Sequence, residues 1–81
     1  MELTLDCRNS MEQIHAQLAE ALRFPTWYGN NLDALHDCLT QLQDVELVLV
    51  GFPDEGYLAR VRRVIVDAAW ENNSLTLKIV D

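Results

Sequence analysis

Alternating and continuous runs of hydrophobic residues mark three short β-strands along this chain. The alternation in "ELTLDC" predicts a first strand near Glu2 to Asp6. The β-branched run "VELVLVGF" predicts a second strand that is buried on both faces, as in a parallel sheet, and "LTLKIV" predicts a closing strand. Between the strands, hydrophobic residues recur at helical spacing, so the predicted order is β-α-α-β-α-β.

Local signals give the bounds of the first two predicted helices. Ser10 and Gln13 form a capping-box pattern before a first helix that continues to about Arg23. Pro25 ends that helix, because the residue before a proline disfavours the helical conformation. Either asparagine of the following Gly-Asn-Asn turn can cap a second helix over residues 31–42.

The third predicted helix completes a small α/β layer. It begins at Pro53 and Asp54, and the turn at residues 72–74 ends it. Strands that are separated by helices indicate a parallel sheet with right-handed crossovers. A chain of 81 residues is too short for two domains. The sequence therefore predicts one α/β domain over residues 1–81, with a three-stranded parallel sheet packed with three or four helices.

Acidic residues dominate the charge of the chain and are concentrated in its middle. The net charge is −7, and the stretch from Phe24 to Ala59 carries −6 because it has six Asp or Glu and no Lys or Arg. A negative field repels phosphate backbones and attracts cationic partners. We therefore expect no direct binding of nucleic acid, and we expect this charge to lie on a surface that binds a basic protein. The six residues are Asp33, Asp37, Asp44, Glu46, Asp54 and Glu55.

Nothing in the sequence indicates export, a membrane or a cofactor. The start "MELTLDCRNSME" is acidic and lacks the apolar stretch of a secretory signal, and no run has the length of a membrane span. Two cysteines, Cys7 and Cys38, do not make a disulfide scaffold in a chain with an apolar core. We expect a reduced cytoplasmic protein without cofactor or metal.

The second helix has two faces of opposite character. At about 100° per residue, its leucines at 32, 35, 39 and 42 fall in one narrow arc that faces the sheet. Asp33 and Asp37 lie one turn apart on the far side, with His36 and Thr40 at the border. Like charges at this spacing destabilise a helix by about 0.2–0.5 kcal/mol, and no neighbour in the sequence compensates Asp37.

Two aromatic residues precede these carboxylates. We expect Trp27 and Tyr28 to lie together with Asp33 and Asp37 outside the core. Aromatic side chains beside charges are typical of the energetically dominant residues of protein interfaces. The pattern therefore favours a surface that binds a cationic protein over solvent-exposed side chains without a binding role.

The segment "PTWYGNNLDALHDCL" resembles the signature of the barstar family, the intracellular inhibitors of microbial ribonucleases. The family pattern has a proline, two aromatics, a glycine, a polar residue, Asn-Leu-Asp-Ala-Leu, an aromatic and then Asp-Cys-Leu. The predicted order of elements and the chain length also agree with the family. The resemblance therefore covers essentially the whole domain, and it implies an inhibitor and not an enzyme.

The resemblance also implies a mechanism. In the family, the second helix and its preceding loop block the active site of a basic, barnase-type ribonuclease in a one-to-one complex. Asp37 would take the place of the substrate phosphate against catalytic Arg, Lys and His, and Asp33 would reach a second cationic cluster. Trp27 and Tyr28 would pack against loops of the enzyme. The full set of implied partner-binding residues is Trp27, Tyr28, Gly29, Asn31, Asp33, His36, Asp37, Thr40, Asp67 and Glu71.

Several of these residues have particular implied roles. Gly29 would permit close approach, and Asn31 would cap the helix and so position both carboxylates. Asp67 and Glu71 would be peripheral acidic contacts from the third helix. His36 departs from the family pattern, which has an aromatic there, so that an apolar contact is lost or replaced by a polar one. The free protein is expected to be a monomer.

Other interpretations stay open. A metal site could use His36, Cys38, Asp33 and Asp37, but Cys38 falls near the leucine side and is expected to be a small buried hydrophobe. His15 has no partner nearby in the sequence, which favours a surface role. Tyr57 and Trp70 are expected to pack in the core or at its edge. The alternatives for function are immunity against another nuclease toxin and a non-inhibitory interaction module.

Overall fold

The computed structural model of this chain describes residues 1–80. The predicted order and the parallel three-stranded sheet are confirmed, with the strands arranged β1-β2-β3 across the sheet. The elements are β1 (Glu2–Asp6), α1 (Met11–Ala21), α2 (Leu32–Leu39), β2 (Val45–Val50), α3 (Tyr57–Glu71) and β3 (Leu75–Val80).

The sheet buries only one of its faces. Along β2, Leu47 and Leu49 are 0% exposed, whereas the alternate residues Val48 and Val50 are half-buried. The prediction that this strand is buried on both faces is therefore wrong. Crossovers between parallel strands are right-handed as a rule, and two of them that step in the same direction place all connecting helices on the same side, which leaves the other face without a covering layer.

The core lies between this face and the three helices. Leu5 of β1 pairs in register with Leu49 of β2, and Val45 pairs with Leu75 of β3, so the buried side chains of neighbouring strands stand side by side. From the helices, the fully buried contributions are Ile14 and Leu18 of α1, Leu35 and Leu39 of α2, and Val61, Ile65 and Ala68 of α3.

The first helix begins as predicted and ends two residues early. Ser10 and Gln13 form the reciprocal capping box. At the other end Arg23 takes a left-handed conformation with φ 55°, and the Phe24 N–H bonds to the Ala19 carbonyl at 3.0 Å. This bond closes the helix in the Schellman pattern, so the chain turns before Pro25 is reached.

The third helix begins later than the sequence predicts. Its N-cap is Gly56 with φ 85°, a conformation that favours glycine, so the segment from Pro53 to Glu55 stays outside the helix. Within residues 1–80, no helix has the length and apolar character needed to cross a membrane.

Candidate partner-binding site

The two-faced character predicted for the second helix is confirmed. Leu35 and Leu39 are 0% exposed, Leu32 and Leu42 pack against the core, and Asp33 and Asp37 are exposed on the other side. Asn31, and not its neighbour Asn30, is the N-cap, since its side-chain oxygen accepts the Ala34 N–H at 2.8 Å. This cap fixes where α2 begins.

The C-terminal end of α2 is held by a residue that sequence reasoning missed. The Asn72 side-chain amide donates to the carbonyls of Leu39 at 3.0 Å and Leu42 at 2.9 Å. These carbonyls belong to the turn that closes α2 at Thr40, where the helix ends earlier than predicted. The sequence marks Asn72 only as a turn residue, because its partners lie 33 and 30 positions away.

His36 joins the exposed side of α2 to the end of α3. Its Nε2 forms a hydrogen bond with the Glu71 carboxylate, and its Nδ1 lies 3.9 Å from Asp37 Oδ1. The Asp37 carboxylate therefore has a histidine nitrogen, and no Lys or Arg, within ion-pair distance. We call Asp33, His36, Asp37 and Glu71 the acidic face.

The acidic face has no Lys or Arg partner among the described residues. Among residues 1–80, neither Asp33 nor Asp37 forms an ion pair with Lys or Arg. Asp33 lies in the first turn of α2, where the helix dipole favours an anion. Thr40 donates its hydroxyl to the Asp37 carbonyl at 2.9 Å, so this side chain is engaged with the last turn of the helix.

The loop before α2 presents one aromatic residue and anchors the other. Trp27 is 58% exposed, whereas Tyr28 is half-buried and packs against the core. The Tyr28 ring meets Phe24 edge to face with centroids 4.8 Å apart. The expectation that both aromatics lie outside the core is therefore wrong for Tyr28 and confirmed for Trp27.

His15 lies beneath this loop and holds it. The side chain is 3% exposed, its Nδ1 bonds to the Tyr28 hydroxyl, and its Nε2 bonds to the Tyr57 hydroxyl at 2.7 Å. The predicted surface role of His15 is wrong, since its partners are 13 and 42 positions away in the chain. Tyr57 packs at the edge of the core, as predicted.

Burial controls the ionisation of this network. Desolvation lowers the pKa of His15, so the imidazole is held neutral with one donor and one acceptor nitrogen. One tyrosine therefore donates to the ring and the other accepts from it. Burial, followed by the proximity of Tyr57, raises the pKa of Tyr28 well above its ordinary value, so its hydroxyl stays protonated.

Gly29 and Asn30 shape the connection between the loop and the helix cap. A Cβ on Gly29 would lie 3.2 Å from Nδ2 of the Asn31 side chain, so the absence of a side chain at residue 29 leaves room for the capping residue. Asn30 takes a left-handed conformation with φ 55°, which asparagine tolerates better than most residues. Both residues are exposed.

The acidic residues of the middle stretch do not share one surface. Glu46 lies on the open face of the sheet beside Glu2, which raises its pKa by hydrogen bonding, and Asp54 pairs with Arg62 at 3.0 Å. Asp44 lies beyond the C-terminal end of α2. The expectation that the whole charge of −6 lies on the binding surface is therefore wrong. Of these six residues, only Asp33 and Asp37 belong to the acidic face, and α3 adds Glu71.

Asp67 has a different setting from Glu71. It lies one turn earlier on α3, is exposed, and lines a shallow groove together with Arg60 and Arg63. Its carboxylate therefore lies in a groove with cationic side chains. Trp70 is 84% exposed, so the prediction that it packs in or at the edge of the core is wrong.

The residues of the alternative metal site do not converge. Cys38 is buried on the core side of α2, as predicted, while Asp33 and Asp37 are exposed. Burial raises the pKa of the Cys38 thiol, which disfavours the thiolate that binds metals. Residues 1–80 contain no group of three or more His, Cys, Asp or Glu placed to hold a metal ion.

Comparison with known proteins supports the resemblance seen in the sequence. The family described as Barstar (barnase inhibitor) matches residues 1–80. A protein of Bacillus subtilis (strain 168), provisionally named ribonuclease inhibitor YrdF, is 51% identical over 41 residues. That alignment covers 51% of this chain and 45% of YrdF, so the match spans less than half of the relative's length.

Proposed function

Since this chain belongs to the barstar (barnase inhibitor) family, we propose that it inhibits a basic, barnase-type ribonuclease by covering the active site of the enzyme. The covering surface consists of the acidic face and the loop that carries Trp27. The complex contains one copy of each protein, and the inhibitor is a cytoplasmic monomer when free. The protein supplies no catalytic group of its own.

One observation carries this proposal above the others. Asp33 and Asp37 stand exposed, one turn apart, on a short helix that is capped at its start by Asn31 and at its end by Asn72. Two carboxylates without Lys or Arg partners, on a helix fixed at both ends, match a surface that is prepared for cations. Because the helix is already ordered in the free protein, less conformational entropy is lost on binding.

The roles of the two carboxylates follow from the chemistry of a ribonuclease active site. Such a site binds an anionic phosphate with cationic side chains, and a carboxylate can occupy the same position. Asp37 lies one turn beyond Asp33 and next to His36, and it takes the position of the phosphate in this proposal. Asp33, nearer the start of the helix, meets a second cationic group. Asp67 and Glu71 make contacts at the edge.

The loop supplies the apolar part of the interface. Trp27 is exposed while Tyr28 is tied to His15, so the loop offers a large aromatic surface from a fixed backbone. Rigid aromatic anchors of this kind contribute strongly to protein interfaces. Gly29 leaves the backbone of the loop open to close contact, and the exposed part of the Tyr28 ring lies beside it.

An RNA-cleavage assay tests the proposed function. Barnase and a representative set of barnase-type ribonucleases would be titrated with this protein at low and at physiological salt. We expect inhibition that is complete at an equimolar ratio for at least one enzyme. The matched control is the Asp44→Asn variant, which changes the net charge equally without touching the acidic face and should inhibit as well as the wild type.

The outcomes separate the possible functions. Absence of inhibition across the set at micromolar protein would contradict the proposal. Inhibition of an unrelated nuclease under the same conditions would instead assign the protein to immunity against that toxin. Binding without inhibition would assign it to the non-inhibitory interaction modules.

A further inference from the structure

The hydrogen bond to Glu71 determines which nitrogen of the neutral His36 ring carries the proton. The imidazole Nε2 bonds to the Glu71 carboxylate, and a carboxylate can only accept a hydrogen bond. Nε2 therefore carries the proton. In the neutral ring, the other nitrogen, Nδ1, then has a free lone pair and acts as an acceptor.

This acceptor lies beside the central carboxylate of the acidic face. His36 Nδ1 is 3.9 Å from Asp37 Oδ1, and the two atoms belong to adjacent residues near the C-terminal end of α2. Two acceptors at this separation can both be reached by the N–H groups of a single guanidinium or ammonium. Neither acceptor is paired with Lys or Arg among the described residues.

We propose that His36 is a specificity-determining residue, and that its Nδ1 and the Asp37 carboxylate together accept N–H donors from one cationic side chain of the ribonuclease. This inference rests on the proposed function and adds to it the chemistry required of the partner. Where the family pattern has an aromatic residue, this chain requires an Arg or Lys in the enzyme. Glu71 is the positioning residue, because it holds the proton on Nε2.

The charge of His36 determines whether this acceptor pair exists. Protonation converts Nδ1 from an acceptor into a donor and adds a positive charge that repels the cation of the partner. The charged groups that face the ring are Asp37 from its own helix and Glu71 from α3. A proton on Nδ1 and a cation bound at Nδ1 therefore exclude each other.

The sign of the pH dependence follows directly. Because a proton and the cation of the partner compete for Nδ1, we expect the affinity to rise with pH across the range in which imidazole ordinarily titrates. Release of one full proton corresponds to about a tenfold change in affinity for each pH unit. Groups on the enzyme also titrate, so the informative quantity is the ratio of the dissociation constants of a variant and the wild type at each pH.

Dissociation constants with barnase, or with the enzyme of the set that is inhibited most strongly, would be measured from pH 5.5 to 8. The variants are His36→Gln and His36→Phe, neither of which titrates, and Asp33→Asn is the matched control. For both His36 variants, we expect the ratio of variant to wild-type dissociation constants to increase by about tenfold across this range. The corresponding ratio for Asp33→Asn should stay constant.

A second measurement needs no ribonuclease. The ¹⁵N resonances of the His36 ring in the free protein distinguish a nitrogen that carries hydrogen from one that does not. At pH 8 we expect hydrogen on Nε2 in the wild type, and a larger share of hydrogen on Nδ1 in Glu71→Gln, whose amide can also donate to the ring. Hydrogen on Nδ1 in the wild type would overturn the inference.

The binding results also separate this inference from the function on which it rests. If the wild type inhibits an enzyme but the His36 ratios do not vary with pH, the inference is overturned and the proposed function stands. If the wild type inhibits no enzyme at any pH, both are overturned.

Discussion

His15 and Tyr57, 42 positions apart in the chain, are joined by a hydrogen bond of 2.7 Å between Nε2 and the phenol oxygen. The opposite nitrogen of the same ring bonds to Tyr28 in the loop before α2. Through one buried imidazole, α1 therefore connects the start of α3 to the aromatic loop. The position of Trp27 thus depends on residues that no partner needs to touch.

The loop anchor predicts a difference between the two adjacent aromatic residues. Tyr28→Phe removes the hydroxyl and leaves a buried ring nitrogen of His15 without its partner, which should lower the free energy of unfolding by about 1–3 kcal/mol. Trp27→Phe alters a side chain that is 58% exposed and should change the free energy of unfolding by less than about 0.5 kcal/mol. Urea denaturation of both variants measures this difference, and equal stabilities would contradict the anchoring role.

The buried His15 predicts a pH dependence of stability. Its pKa is lowered in the folded protein by desolvation, so the unfolded chain binds more protons than the folded one between the two pKa values. The stabilising contribution is thus complete above the ordinary histidine pKa of about 6.5 and decreases as the pH falls below it.

Thermal unfolding between pH 5 and 7.5 tests this dependence. The wild type should lose stability toward pH 5, and His15→Phe should show a smaller slope, whatever its absolute stability. The control is His36→Gln, which leaves the buried imidazole in place and should keep the slope due to His15. A His15→Phe variant with the full wild-type slope would assign the effect to other groups.

The cap that Asn72 forms on α2 predicts a local effect. Asn72→Ala leaves the carbonyls of Leu39 and Leu42 without this donor and should cost about 1–3 kcal/mol of stability. Relative to the wild type, amide hydrogen exchange in this variant should accelerate more in α2 than in β2. The exposed neighbour Asn73 provides the matched control, since Asn73→Ala should leave exchange in α2 unchanged. Uniform acceleration in both elements would indicate global destabilisation instead.

The sequence predicts the fold well because most of its signals are local. The apolar runs of β2 and β3, the capping box at Ser10 and the leucine arc of α2 each depend on neighbours within a few positions, and the structure contains all of them. The ends of α1 and α3 differ from the prediction because single left-handed residues, Arg23 and Gly56, redirect the chain.

The parts of the site that could not be predicted depend on distant partners. The roles of His15, Asn72 and Glu71 arise from contacts across 30 or more positions, or between a helix and a loop. The alternation of polar residues in β1 and β3 indicates that one sheet face is exposed, whereas β2 has a single polar residue, Glu46, followed by a continuous apolar run. Charge summed along the sequence was a poor guide to charge on a surface.

The uneven placement of the acidic residues predicts which of them accelerate association. Asp33→Asn and Asp44→Asn change the net charge equally, and asparagine suits the left-handed conformation of residue 44, which has φ 53°. Because only Asp33 belongs to the acidic face, its neutralisation should slow association with the ribonuclease more at low salt. The difference should decrease as added salt shortens the Debye length to about 10 Å and below.

Stopped-flow mixing at several ionic strengths measures these association rates. Equal rates for the two variants at low salt would mean that net charge, and not the acidic face, governs the encounter.

The central claim is that Asp37 takes the position of the substrate phosphate, and binding of Asp37→Ala to the inhibited ribonuclease tests it most directly. Loss of the carboxylate should leave cationic groups of the enzyme buried and unpaired, at a cost of about 2–5 kcal/mol, the range typical of such truncations in general. The loss should appear mainly as faster dissociation. Asp33→Ala, nearer the start of the helix, should cost less, and both variants should melt like the wild type, because both side chains are exposed. An Asp37→Ala variant that melts normally and binds the ribonuclease as tightly as the wild type would contradict the claim.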